Sequence, residues 1–308
     1  MKHKDLISIV DLTPKEINQI FKLTKRLKKL HKKKKEHLLL LDTTLAMIFQ
    51  KPSTRTRVSF EAGMYQLGGY ALFLSAQDLQ LRRGETIKDT AKTLSRYVDG
   101  IMIRTYDHQD VEDLAKYGTI PVINGLSDLL HPCQVLSDLY TLKEKKGRLK
   151  KLKVAYVGDG NNVANSWCYG AAKMGIELFL ACPSRHQPNE EVVRRASGEA
   201  MISGAKINIL EDPSEAVKDA DVIYTDVWAS MGKEEEAAER RSIFYPYQVN
   251  EELIAKAKKD CIVMHCLPAH RGEEITDGVM DGPHSVVFDQ AENRLHVQKA
   301  ILVLLLSK

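Results

Sequence analysis

Apolar runs of three to five residues recur along this chain, and the stretches between them carry helical spacing. The runs are residues 45–49, 100–103, 121–123, 154–157, 178–181, 207–210, 222–225 and 261–265. Helical patterns follow at about 58–67, at 111–117 and from near His131. Strands that alternate with helices predict parallel sheets covered on both faces.

A chain of 308 residues has room for two domains of ordinary size, each with its own core. The polar stretch 143–151 interrupts the alternation, which then restarts at Val154. The expected fold is two Rossmann-like α/β domains joined by linking helices, the first over residues 1–146 and the second over 147–290. The last segment, 291–308, reads as one helix whose apolar density suits packing back on the first domain. No internal repeat of fixed period is present.

Asp11-Leu12-Thr13-Pro14 marks the first helix, with Thr13 as cap and Pro14 in the first turn. It runs into a basic stretch, 25–35, that contains Lys32-Lys33-Lys34-Lys35. No aromatic residue interleaves with these lysines, so a solvated helix face is expected and not a nucleic-acid arm.

Apolar residues at 44% and charged residues at 28% exclude a disordered chain. The net charge of +4 is too small for a polyanion partner but suits anionic small substrates where the positive charge gathers. Cys133, Cys168, Cys182, Cys261 and Cys266 form no Cys-x-x-Cys pair, and no signal-peptide pattern precedes them, so a reducing cytoplasm is expected. The longest apolar run, 300–306, falls far short of the roughly 20 residues that span a membrane.

In open α/β sheets ligands gather at the carboxyl ends of the strands, and polar chemistry is dense at those places here. Lys51-Pro52-Ser53-Thr54-Arg55-Thr56-Arg57 follows the first run and opens a helix. Free N–H groups and the positive dipole end at a helix start bind phosphate, the hydroxyls add donors, and Arg55 offers a planar fork for two phosphate oxygens. The plainer alternative is a capped helix with solvated arginines. The next run ends at Arg104-Thr105, and the third leads to His131-Pro132-Cys133-Gln134 at another helix start.

In the second half, Gly158-Asp159-Gly160-Asn161-Asn162-Val163 resembles a dinucleotide fingerprint, but Val163 occupies the third glycine position. Asn161 and Asn162 place amides where a zwitterion can be hydrogen-bonded. Asp226-Val227-Trp228-Ala229-Ser230-Met231-Gly232 puts a carboxylate, suited to an ammonium, at a strand end; a helix-cap role for Asp226 stands beside it. The last run ends in His265-Cys266-Leu267-Pro268-Ala269-His270. A zinc site through His265, Cys266 and His270, with His131 and Cys133 as further ligands, matches no usual structural spacing. A cysteine nucleophile with His131 or His270 as base is the other reading.

With these motifs in hand, the chain resembles the aspartate/ornithine carbamoyltransferase family over nearly its whole length. Ser53-Thr54-Arg55-Thr56-Arg57 looks like the family's carbamoyl-phosphate signature. His131-Pro132-Cys133-Gln134, Asp226-Val227-Trp228-Ala229-Ser230-Met231-Gly232 and His265-Cys266-Leu267-Pro268 match its ornithine branch, and the four occur in the family's order.

The resemblance implies transfer of a carbamoyl group from carbamoyl phosphate to the δ-amine of L-ornithine, giving citrulline and phosphate, within arginine biosynthesis or catabolism. It implies that Ser53, Thr54, Arg55 and Thr56 hold the phosphate. Arg104, His131, Pro132, Cys133 and Gln134 would take the carbamoyl end, and Gln80 would reach into a neighbouring subunit's site. Leu81-Arg82-Arg83-Gly84 follows Gln80, where some members carry a Gly-His-Lys-type stretch. Cys266, Leu267 and Arg294 would complete the cleft from the second domain. Asn162, Asp226, Ser230 and Met231 would hold ornithine. Arg104, His131, Cys266 and Asp226 are the implied catalytic set.

No metal or organic cofactor is implied, no nucleic-acid or membrane partner, and a homotrimer or an assembly of trimers is. Aspartate carbamoyltransferase, the nearest rival, needs extra basic residues in the second domain, where this chain offers Asp226, Ser230 and Met231. A non-catalytic nucleotide-binding protein is the distant alternative.

Overall fold

The computed structural model describes residues 3–75, 79, 84–228 and 237–307. The chain divides into two compact units, one of residues 1–140 with 293–308 and the other of residues 141–292. Both divisions fall inside helices, Pro132–Lys146 and Val287–Leu306.

The first unit holds strands β1 (Thr44–Phe49), β2 (Tyr70–Ser75), β3 (Gly100–Arg104) and β4 (Val122–Leu126). Its helices are α1 (Pro14–Lys32), α2 (Thr54–Gln66), α3 (Ile87–Leu94), α4 (His108–Tyr117) and the start of α5 (Pro132–Lys146). The sheet is parallel in the order β2-β1-β3-β4. Central β1 and β3 are buried almost throughout, which is why they read as unbroken apolar runs. Edge strand β2 is half exposed and is absent from the strands expected above. Its signal was present all the same, five apolar residues following Gly68-Gly69.

Helix α1 starts where expected. Thr13 Oγ1 accepts from the Glu16 N–H at 3.2 Å while Glu16 Oε2 accepts from the Thr13 N–H at 3.0 Å, a capping box. Most of the basic stretch is exposed, as a solvated face requires. Lys28 is the exception: it is buried and donates to Asn293 Oδ1 at 2.7 Å. Helix α2 starts at Thr54, four residues earlier than its apolar spacing suggested, because Ser53 caps it.

The second unit holds β5 (Lys153–Val157), β6 (Glu177–Ala181), β7 (Lys206–Leu210), β8 (Val222–Thr225) and β9 (Ile262–His265), parallel in the order β7-β6-β5-β8-β9. Its helices are α6 (Asn162–Met174), α7 (Glu190–Ser203), α8 (Pro213–Val217), α9 (Ala237–Phe244), α10 (Glu251–Ile254) and α11 (Asp277–Met280). Ala155, Val157, Ile223, Trp228, Phe244 and Val263 lie in its core. Each large aliphatic side chain so buried contributes about 1.5–3 kcal/mol. The last helix, α12 (Val287–Leu306), delivers residues 293–308 to the first unit. Among the described residues no helix is long and apolar enough to cross a membrane.

Within the first unit α12 buries Lys299 completely. Its Nζ donates to Gln66 Oε1 at 2.8 Å and lies 2.9 Å from His37 Nε2, while His37 Nδ1 faces the Lys35 carbonyl oxygen at 2.8 Å. A proton on Nδ1 satisfies that carbonyl and leaves Nε2 as the acceptor for Lys299. Among the described residues no carboxylate offsets the burial, and the Lys299 pKa falls to about 8.

Between about pH 8 and the ordinary lysine value near 10.4 the unfolded chain therefore binds the extra proton, and stability rises with pH. The expected result is that the unfolding free energy of the wild type, measured relative to Lys299→Met, increases from pH 7 to pH 9. A difference that is flat or falls with pH contradicts the assignment.

Candidate active site

In the first unit the polar groups meet at the carboxyl ends of three neighbouring strands. Phe49, the last residue of β1, pairs with Arg104, the last of β3, and the Gln50 N–H donates to the Arg104 carbonyl at 2.8 Å. Beyond β1 the chain turns through Lys51 and Pro52 into Ser53, whose Oγ accepts from the Thr56 N–H at 3.2 Å and so caps α2. The Ser53 hydroxyl also lies 3.1 Å from Thr56 Oγ1. Thr54 is exposed and Arg55 half-buried at the helix start, while Thr56 is buried.

Arg57 turns away from this group, pairing with Glu61 at 3.0 Å and stacking over the Phe73 ring at 3.8 Å.

Beyond β4, Ser127 and Leu130 form a closed turn, and His131 follows directly before Pro132 begins α5. His131 is 4% exposed. Burial, then the charges of Arg294, Arg104 and Arg55 in that order, hold its pKa well below the ordinary imidazole value. The ring is therefore neutral at pH 7 and donates from one nitrogen only.

Cys133 is a buried thiol donating to the Asn124 carbonyl at 3.4 Å, and burial raises its pKa to about 12. It is a weak candidate for the nucleophile considered from sequence, because the thiolate is the reactive form.

Gln134 is fixed at both ends of its amide. Nε2 donates to Asp138 Oδ1 at 2.7 Å and Oε1 accepts from Arg294 Nη1 at 2.5 Å. Arg294 also donates through Nη2 to Thr56 Oγ1 at 3.1 Å. Arg294 thus belongs to the first unit, contrary to the expectation that it lines the site from the second domain. The turn of α12 that carries it has already crossed to the first unit.

One group here received no role from sequence. Lys51 is 8% exposed, lies over the Tyr106 ring at 4.1 Å, and has its pKa lowered by burial and by the charge of Arg104.

In the second unit the carboxyl ends of β5, β8 and β9 play the same part. Asn161 caps α6, its Oδ1 accepting from Val163 N at 2.8 Å and Ala164 N at 3.3 Å. Its Nδ2 donates to Asp226 Oδ2 at 2.9 Å, just beyond β8. Asp226 Oδ1 accepts from its neighbour Val227 N at 2.8 Å and from Cys266 Sγ, just beyond β9, at 2.9 Å. Asn162, at the first turn of α6, is half-exposed beside this group. Asn161 was not expected to do more than offer an amide, yet it is the residue that orients Asp226.

The segment after β9 is held from behind by a fully buried pair. His265 Nε2 lies 3.0 Å from Glu274 Oε1, and the Leu267 N–H donates to His265 Nδ1 at 2.8 Å. Glu274 Oε1 also accepts from the His270 N–H at 2.6 Å. Leu267 adopts φ 61°, a left-handed conformation uncommon for its residue type.

The zinc set His265, Cys266 and His270 is not brought together as one group. His265 and Cys266 gather with Asp226, whereas His270 gathers with Glu273 and Glu274. Gln80, Ser230 and Met231 lie outside the described residues.

Profiles of two domains from one family match the chain. The carbamoyl-P binding domain of aspartate/ornithine carbamoyltransferases matches residues 4–144, and the Asp/Orn binding domain matches residues 150–305. Ornithine carbamoyltransferase of Thermococcus kodakarensis is 61% identical over 303 residues, covering 98% of this chain and 96% of its own. The anabolic ornithine carbamoyltransferase of Pyrococcus furiosus is likewise 61% identical with the same coverage, 98% and 96%. A solved structure of the ornithine carbamoyltransferase from Pyrococcus furiosus matches with a TM-score of 0.95 at 62% identity, covering 98% of this chain and 96% of that one. The chain belongs to the aspartate/ornithine carbamoyltransferase family.

Proposed function

We propose that the chain transfers the carbamoyl group of carbamoyl phosphate to the δ-amine of L-ornithine, releasing citrulline and phosphate. The observation that carries this reading is in the first unit. A helix N-terminus and the cations Arg55, Arg104 and Arg294 surround a buried neutral imidazole, His131, at the ends of adjacent strands. Such a group suits a doubly charged phosphate beside a carbonyl. Relatives about 60% identical over nearly the whole chain bear the name of that activity.

In this reading Ser53, Thr54, Arg55 and Thr56 hold the phosphate with the start of α2. Arg104, His131 and Thr56 donate to the carbamoyl oxygen, with Pro132, Cys133 and Gln134 shaping that end. The carbonyl oxygen gains negative charge as the amine attacks, and donors already in place stabilise it. The phosphate then leaves with its charge held by Arg55. Arg294 supports the group by fixing Gln134 and Thr56.

In the second unit Asp226 and Asn162, with Ser230 and Met231, take the α-ammonium and α-carboxylate of ornithine. The δ-amine, with a pKa near 10, arrives protonated and must lose a proton before attack. The pair Cys266–Asp226 is the proposed acceptor, and Leu267 lies beside it.

A homotrimer, or an assembly of trimers, belongs to the same reading, with Gln80 reaching a neighbouring subunit. The exposed aromatics Tyr65, near the end of α2, and Tyr70, on edge strand β2, support a surface used between copies. A cytoplasmic setting suits five free cysteines.

The test supplies carbamoyl phosphate with either ornithine or aspartate and quantifies the product. Citrulline from ornithine alone is expected. Arg55→Ala should raise the KM for carbamoyl phosphate about 10- to 100-fold, the loss of one or two charge-assisted hydrogen bonds. Carbamoyl-aspartate as product would overturn the amine assignment, and no product with either acceptor would overturn the reading as a whole.

A further inference from the structure

Arg240 lies on α9, outside every motif singled out from sequence, and is 4% exposed. Its Nε donates to the Trp228 carbonyl oxygen at 2.5 Å. Its Nη2 lies 2.6 Å from Asp159 Oδ2, and its Nη1 lies 3.4 Å from His186 Nδ1. The guanidinium sits 5.0 Å from the centre of the Phe244 ring, which in turn stacks on Trp228 at 6.2 Å. One side chain thus ties together two separate turns, 158–162 after β5 and 226–228 after β8.

Those two turns carry the groups assigned above to the amino-acid substrate. Between them runs the Asn161 Nδ2 to Asp226 Oδ2 hydrogen bond of 2.9 Å, whose length depends on their spacing. The turn after β5 is shaped to be held this closely. Gly158 adopts φ 132°, open to glycine and rarely to other residues, and faces Thr225 and Trp228. Gly160 has no room for a Cβ, which would fall 2.3 Å from the backbone of Gln187. The Gly160 N–H donates to the His186 carbonyl at 2.8 Å, and His186 Nδ1 lies 3.9 Å from Asp159 Oδ1. Asp159 therefore faces Arg240 from a turn with little freedom to follow if the guanidinium is lost.

We infer that Arg240 is a positioning residue for the amino-acid substrate: by bridging Asp159 and the Trp228 carbonyl it sets the distance between Asn162 and Asp226. The inference rests on the assignment of those two residues to ornithine. A buried ion pair serving stability alone is the competing explanation, and such pairs often contribute little net stability. The two explanations differ in kinetics. A positioning role acts on one substrate, because the carbamoyl-phosphate residues Ser53–Thr56, Arg104 and His131 belong to the other unit. A displacement of the order of 1 Å in a substrate-holding group costs about 10²-fold.

The test measures KM and kcat for both substrates in wild type, Arg240→Met, Arg240→Lys and Asp159→Asn, well below each protein's unfolding temperature. Arg240→Met should raise the KM for ornithine about 10- to 100-fold and leave the KM for carbamoyl phosphate within about twofold. Arg240→Lys keeps the charge opposite Asp159 but cannot fork to Trp228 at the same time, so it should recover part of the affinity. Asp159→Asn, which keeps shape and volume, should move the ornithine KM in the same direction and serves if Arg240→Met does not fold.

Unchanged ornithine KM in these variants, with only a lower unfolding temperature, overturns the inference and leaves the proposed reaction standing. An equal rise in both KM values also overturns it. A wild type that makes no citrulline overturns both.

Discussion

Arg104→Ala is expected to lower kcat about 10²- to 10³-fold, the cost of removing one preorganised donor to a developing oxyanion. That range corresponds to about 2.7–4 kcal/mol in the barrier. Arg104 is 7% exposed at the end of β3, where pairing with Phe49 fixes its backbone. Its carbonyl accepts from Gln50 N whatever the side chain is, so the strand end survives the substitution.

The cations around it make the outcome diagnostic. Arg104 helps to depress Lys51, so deleting it relieves repulsion between two buried cations. Folding stability should therefore hold while turnover collapses. Steady-state citrulline formation and thermal unfolding on the same sample measure the two. A fall in kcat below about tenfold would remove Arg104 from the reaction, and a matching loss of stability would mark it as structural.

The largest effect on folding should come from Glu274→Ala. Glu274 and His265 are both fully buried, and one carboxylate oxygen accepts from two donors, His265 Nε2–H and the His270 N–H. Because His265 Nδ1 accepts from Leu267 N, the ring proton resides on Nε2, directed at Glu274. Alanine leaves the fully buried His265 donor without an acceptor, at about 1–3 kcal/mol, takes the acceptor from the part-buried His270 N–H, and opens a cavity. A total of about 3–5 kcal/mol is expected, as when one partner of a buried pair is removed. For a unit of this size that lowers the unfolding temperature by roughly 6–20 °C.

Glu274→Gln retains a carbonyl oxygen for both donors and should lose far less. Equal losses in the two variants would show that charge, and not acceptor geometry, matters there. The same network fixes the backbone on either side of Cys266, so turnover should fall with stability in Glu274→Ala.

How far the site was legible follows from how locally each part is determined. Ser53 caps α2 through the N–H of Thr56, three residues on, so the phosphate-binding helix start is present in the sequence itself. The same holds for Thr13 and Glu16, whose capping box needs only four consecutive positions. Strand β2 carried an adequate local signal in the run after Gly68-Gly69, and its omission was a matter of reading.

Arg240 had no such signal, because its partners Asp159, His186 and Trp228 come from three other segments. The first of two consecutive arginines, Arg240-Arg241, is indistinguishable in sequence from a solvated one. Neighbours were likewise hard to separate: whether Asn161 or Asn162 turns toward Asp226 depends on which of them caps α6.

Alternation of apolar runs with helical spacing was enough, alone, to determine two parallel α/β sheets and the strand ends where polar chemistry would gather. Strand burial and helix capping are short-range in sequence and leave periodic marks. Only the tertiary structure decided that Arg294 serves the first unit by bridging Gln134 and Thr56, and that Glu274 braces His265. It also decided that Arg240 joins two turns. These are contacts between side chains far apart in the chain or brought together by a turn, where burial strengthens each polar pairing and no sequence period records the partner.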